Sequence, residues 1–113
     1  MQDLEELTRV FGALANPIRL RIVATLAEAR RASEATPGVM QLAAALEITR
    51  FAASFHLEQL RTAGLIRRER VGARWAHSIV DETFDVIDEW LFDVAPPRGD
   101  LQPPSAPLDV GEP

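Results

Sequence analysis

Cysteine is absent from this chain of 113 residues, which excludes disulfides, thiolate metal sites, cysteine nucleophiles and thiol redox sensing together. Lysine is absent as well, so every one of the 12 basic residues is arginine. Guanidinium groups favour bidentate contacts to phosphate and guanine, although a GC-rich genome produces the same bias without any functional meaning. Histidine occurs only at positions 56 and 77. With no phosphate-cradling glycine loop and no Ser/His/Asp arrangement, nothing resembles a catalytic apparatus, and an enzyme is not expected. Long hydrophobic runs are missing too. The longest uncharged stretch, Ala35 to Leu46, contains Pro37, Gly38 and Gln41 and falls short of the roughly 20 apolar residues of a membrane span. The acidic start Met1-Gln2-Asp3-Leu4-Glu5-Glu6 differs from the basic leader of a secretory signal. The expectation is a cytoplasmic protein with no membrane partner.

What is present is enough for one core: 47% of residues are hydrophobic and 26% charged, within the ordinary globular range. The formal net charge of −5 argues against a polyanionic partner until the chain is divided. Beyond Val80 the acids Asp81, Glu82, Asp85, Asp88, Glu89, Asp93, Asp100, Asp109 and Glu112 face only Arg98. Between Arg50 and Ile79 the balance reverses, with Arg50, Arg61, Arg67, Arg68, Arg70 and Arg74 against Glu58 and Glu69. A duplex meets this local potential, because charges further than about 8–10 Å away are screened at physiological salt.

Leu4, Leu7, Phe11 and Leu14 recur at helical spacing behind an acidic first turn, which predicts a first helix over residues 3–15. Asn16-Pro17 reads as an N-cap with proline at the first helical position. The second helix so begun has Ile18, Ile22, Val23 and Leu26 as its buried stripe, and Ala29 to Gly38 reads as a loop with a frayed helical extension at its start. Met40–Leu46 forms a short third helix with Leu42, Ala43 and Leu46 inward, and Glu47-Ile48-Thr49 is a tight turn. Thr49 caps a fourth helix that Gly64 ends, with Ala53, Leu57 and Leu60 inward. The runs Leu65–Arg70 and Trp75–Ile79, joined through Val71-Gly72-Ala73-Arg74, read as a β-hairpin with arginines around its tip. A last helix over Asp81–Val94 places Phe84, Ile87, Leu91 and Val94 on one face. Residues 1–94 thus make one domain. From Ala95 onward the prolines predict a disordered acidic tail over 95–113. The fold class is mainly α with a small β-hairpin: five helices and a two-stranded wing.

Two short helices joined by a three-residue turn, followed by a basic hairpin, are the helix-turn-helix arrangement with a wing. The segments Leu14-Ala15-Asn16-Pro17-Ile18-Arg19-Leu20-Arg21-Ile22, Leu42-Ala43-Ala44-Ala45-Leu46, Ser54-Phe55-His56-Leu57-Glu58-Gln59-Leu60-Arg61-Thr62-Ala63-Gly64-Leu65-Ile66 and Arg67-Arg68-Glu69-Arg70-Val71-Gly72-Ala73-Arg74-Trp75 together resemble the ArsR family of winged helix-turn-helix transcriptional regulators. The resemblance extends from residue 4 to about residue 93. It implies a homodimer, joined through the first and last helices, that binds an operator in double-stranded DNA and usually represses. The chain departs from the family's metal sensors, having neither their cysteines near the supporting helix nor their histidine ligands on the last one. Glu47 stands where the turn often has glycine, and the loop at Ala29–Gly38 is longer than usual.

The expected DNA-binding residues are Arg50, Phe51, Ser54, Phe55 and Arg61 on the fourth helix, with Arg68, Arg70 and Arg74 on the wing. Phe51 and Phe55 divide evenly between reaching thymine methyl groups and folding back on the scaffold. The expected dimer interface is Leu4, Leu7, Phe11, Phe84, Ile87, Trp90 and Leu91, the spare apolar faces of the terminal helices. His56 reads as structural, His77 as structural or surface, and the acids Asp81, Asp85, Asp88 and Glu89 as a solvated face. No metal ligands and no cofactor are assigned, and the sequence names no effector. Two alternatives stand beside this reading: a winged-helix module that binds an acidic protein, and a metal-gated regulator using carboxylates of the last helix.

Overall fold

Asp3 starts the first helix rather than lying inside it, its carboxylate accepting from the backbone N–H groups of Glu5 and Glu6 at 3.0 and 3.3 Å. The structure is a computed structural model that describes residues 3–98, so the predicted tail lies outside the described residues from position 99 onward. Helix α1 spans Leu4–Leu14, and α2 spans Pro17–Arg31. Between them the chain turns by 93°. Asn16 fixes that corner, its side-chain oxygen accepting from Ile18 N and Arg19 N at 2.9 and 3.0 Å with Pro17 in the first turn.

Helix α2 continues past the expected loop start as far as Arg31. Ala29 falls on the same buried stripe as Ile22 and Leu26. The last turn also gains ion pairs from Arg31 to Glu28 and from Arg30 to Asp81, at 2.6 and 2.9 Å. The connecting loop is thus shorter than expected, covering residues 32–38. Helix α3, Val39–Leu46, begins where the Gln41 side chain accepts from Gly38 N at 2.8 Å. It ends at Glu47, whose backbone is left-handed at φ 58°. Thr49 caps α4, Arg50–Thr62, by accepting from Ala52 N at 3.0 Å. Gly64, at φ 81°, closes it.

Strands β1 (Ile66–Val71) and β2 (Arg74–Ile79) pair antiparallel, with Ile66 opposite Ile79, Arg68 opposite His77 and Arg70 opposite Trp75. Gly72 takes the positive φ of 64° in the two-residue turn. Helix α5 spans Asp81–Val94. Its start is tied to the end of α4 by Thr83 Oγ1 donating to Gly64 O at 2.6 Å, with Val80 N donating to Leu65 O at 3.0 Å.

The core joins Val10 and Ala13 of α1, Ile22 and Leu26 of α2, Leu42 and Leu46 of α3, Leu57 and Leu60 of α4, and Leu65 and Ile66 at the root of the wing. One expectation for α1, that Leu7 lies on a spare surface face, is corrected. Its core face is Leu7, Val10 and Ala13, because at about 100° per residue Leu4 and Phe11 fall to one side of that stripe and are exposed. Leu7 is 3% exposed and belongs to the chain's own core, so it is not a spare surface residue. On α5 no residue is fully buried. Phe84 and Ile87 pack half-buried against the core, while Leu91 and Val94 remain exposed.

Candidate nucleic-acid interface

Helix α4 is gripped on one side and bare on the other. Ala53, Leu57 and Leu60 anchor it in the core, and α3 braces it across the tight turn that Glu47 makes. Its outward side presents Arg50, Phe51, Ser54 and Phe55, all exposed. Phe51 and Phe55 are 73% and 57% exposed, so neither ring folds back on the scaffold. The Arg50 guanidinium carbon lies 5.2 Å from the centroid of the Phe51 ring, and the Phe55 ring meets His56 edge-on at 5.3 Å.

The remaining expected residues separate into free and engaged arginines. Strand alternation puts Arg68 and Arg70 on one face of the hairpin, where their guanidinium carbons stand 4.3 and 5.1 Å from the ring centroid of Trp75. Stacking on an aromatic face holds the planar cations in place without using up their N–H donors. Arg61, by contrast, is paired with Glu58 on its own helix and is partly buried. Arg74 donates from Nη1 to the carbonyl of Thr36 at 3.0 Å, fastening the tip side of β2 to the loop before α3. Arg67 lies 3.7 Å from Glu82 across the root of the wing.

Sequence reasoning missed two contributors. Trp75 is the platform for both wing arginines, and the signal was the register: a two-residue turn at Gly72-Ala73 puts Trp75 opposite Arg70. Arg19 was overlooked as well. Its Nε donates to Ala13 O at 2.6 Å and its Nη1 lies 3.0 Å from His56 Nδ1, so one side chain links the α1–α2 corner to α4. His56 therefore accepts as a neutral imidazole, and burial together with the Arg19 charge lowers its pKa below 6.5. His77, expected as structural or surface, is 3% exposed, and its Nδ1 has no hydrogen-bond partner among the described residues. Burial and the nearby Arg68 and Arg61 charges lower its pKa too.

The terminal helices meet through Phe11 and Trp90, edge to face with ring centroids 5.4 Å apart. Leu4 beside that pair is exposed, and so are Leu91, Phe92 and Val94 further along α5. Among the described residues of the single chain no group of three or more His, Asp or Glu side chains is placed to hold a metal ion.

Comparison with known proteins agrees with this geometry. A helix-turn-helix domain family matches residues 14–69. An HTH-type transcriptional regulator of Mycobacterium tuberculosis is 35% identical over 106 residues, covering 87% of this chain and 44% of that protein. A Synechocystis homologue of the transcriptional repressor SmtB is 32% identical over 81 residues, covering 72% of this chain and 57% of that protein. The chain thus spans only about half the length of these two relatives. The solution structure of a homodimeric winged helix-turn-helix DNA-binding domain from Mycobacterium bovis, a possible ArsR-family regulator, superposes with a TM-score of 0.62 at 30% identity. That match covers 80% of this chain and 85% of the other. Its wing, its helix-turn-helix and these relatives together place the chain in the ArsR family of winged helix-turn-helix transcriptional regulators.

Proposed function

We propose that this chain is a sequence-specific DNA-binding regulator, not an enzyme, acting as a homodimeric repressor on an approximately palindromic operator. The observation that carries this reading is the bare face of α4: Arg50, Phe51, Ser54 and Phe55 project from a helix whose other side is locked in the core. A helix so held can enter a major groove about 12 Å wide without deforming its scaffold. In this reading Arg50 and Ser54 contact base edges or phosphates, and Arg68 and Arg70 contact phosphates or the adjacent minor groove. Arg61 and Arg74 already hold partners within the chain; they position α4 and the wing. The exposed apolar residues Leu4, Phe11 and Leu91, with the half-buried Trp90, form the dimer interface, and Phe84 and Ile87 support it from beneath. Two α4 helices then enter successive major grooves, about 10–10.5 base pairs or a multiple apart.

The direct test incubates the protein with fragmented DNA from its source and sequences what is retained. Enrichment of a two-fold-symmetric site is the expected result. Recovery of random fragments only would overturn the proposal in favour of a protein-binding winged helix. On the recovered site, Arg50→Ala is expected to cost about 1–3 kcal/mol and to relax one base preference if Arg50 reads guanine. Arg70→Ala should weaken binding to all sequences about equally and flatten the dependence of affinity on salt.

A further inference from the structure

Resting on that reading, we propose that Phe51 and Phe55 are specificity residues that read the 5-methyl groups of thymine in each half-site. The two rings are one helical turn apart and share the face of α4 that points away from Ala53, Leu57 and Leu60. Each ring is held in its exposed position. Arg50 sits over Phe51, and Phe55 rests edge-on against His56, which Arg19 secures in turn. Two exposed phenylalanines on one helix leave a large apolar area in water, at roughly 25 cal/mol for each Å², so the face is built to be covered.

Charge selects the occupant. Residues 50–57 of α4 contain no acid, and Glu58 is already paired with Arg61. Arg50 lies within the same patch, and the wing separately presents Arg68 and Arg70 stacked on Trp75. An apolar surface that carries a guanidinium group and no free acid fits a polyanion that also offers apolar groups. In the DNA major groove the only such group on a base edge is the C5 methyl of thymine. A rise of about 6 Å between Phe51 and Phe55 compares with 3.4 Å for each base step along a strand. The two thymines are thus expected about two steps apart.

The test uses the wild-type protein and the operator recovered by selection, replacing thymines in a half-site one at a time with deoxyuridine. Loss of one buried methyl is expected to weaken binding about fourfold at each of two positions, and by less elsewhere. Phe51→Ala is expected to abolish the effect at one position and Phe55→Ala at the other, the pairwise coupling that identifies a direct contact. At each sensitive position, cytosine should bind poorly and 5-methylcytosine should recover part of the loss, because the methyl group is the feature read. Deoxyuridine substitutions that leave affinity unchanged throughout an otherwise tightly bound operator would overturn the inference while leaving DNA binding intact. If selection recovers no operator, the underlying reading fails, and this inference falls with it.

Discussion

Glu47 holds a backbone conformation that a side chain resists. At φ 58° and ψ 46° it lies in the left-handed region, which costs a non-glycine residue roughly 1–2 kcal/mol. The bend between α3 and α4 requires it, since Ile48 N then reaches back to Ala43 O at 3.0 Å. Glu47→Gly is therefore expected to raise stability by about 0.5–1 kcal/mol, part of the strain relief being offset by the greater freedom of glycine when unfolded. A shift of the urea midpoint upward at constant slope is the reading to look for; a downward shift would mean that the turn is not strained. The two histidines act at the same scale. Both have folded pKa values held below the ordinary 6.5, chiefly by burial, with Arg19 beside His56 and with Arg68 and Arg61 near His77. Below pH 6.5 the unfolded chain therefore binds more protons than the folded one. Their contribution to stability is fully present above about pH 6.5 and is lost as the pH falls below it. The urea midpoint should decline between pH 7 and pH 5, and the decline should be shallower in His77→Phe, which cannot take up a proton. An undiminished slope in that variant would show that His77 does not titrate there.

At the scale of elements, interactions local in sequence outweigh those that only look strong. Asn16 satisfies two helix N–H groups at a half-buried corner, and Asn16→Ala is expected to cost about 1 kcal/mol. The Arg30–Asp81 pair, with side chains 58% and 68% exposed, should contribute less than about 1 kcal/mol, most of it screened by salt. Denaturation of Asn16→Ala and Asp81→Asn side by side checks the order; a larger loss from Asp81→Asn would reverse it. The same distinction explains what the sequence made legible. Asn16-Pro17, Thr49 and Gly64 marked their helix ends correctly because capping is decided within a few residues. The end of α2 lies further on than the local sequence suggests because Ala29 is buried on the stripe of Ile22 and Leu26, which only the tertiary packing decides. Leu7, expected on the spare face of α1 with Leu4 and Phe11, turns inward beside Val10, because all three are similarly hydrophobic and only packing decides which of them enters the core. In the candidate interface the arginines were visible as a charge cluster. That Arg61 and Arg74 are engaged, and that Trp75 carries Arg68 and Arg70, depends on rotamers and register that composition does not encode.

For the whole molecule the decisive surface lies on the terminal helices. Phe11 and Trp90 lock α1 to α5 within one chain, yet Leu4 on α1 and Leu91, Phe92 and Val94 on α5 remain exposed. A groove of about 560 Å³ between Leu4, Phe11 and Trp90 stays open. A second copy can fill it symmetrically, because a two-fold interface lets the same residues serve both partners. Leu4 and Leu91 are 66% and 47% exposed, so Leu4→Glu and Leu91→Glu should leave the fold of the chain within about 0.5 kcal/mol of the original. At the centre of a dimer interface the same changes would bury charge without a partner and separate the subunits. Sedimentation should then change from twice the 12.5 kDa chain mass to the single mass. Binding to a full operator should fall towards that of an isolated half-site, since joining two readers raises avidity by about 10²–10⁴ through effective concentration alone. Wild-type protein that sediments as a single chain while bound to a half-site would overturn the interface. Variants that keep both the dimer mass and full operator affinity would move the interface away from Leu4 and Leu91.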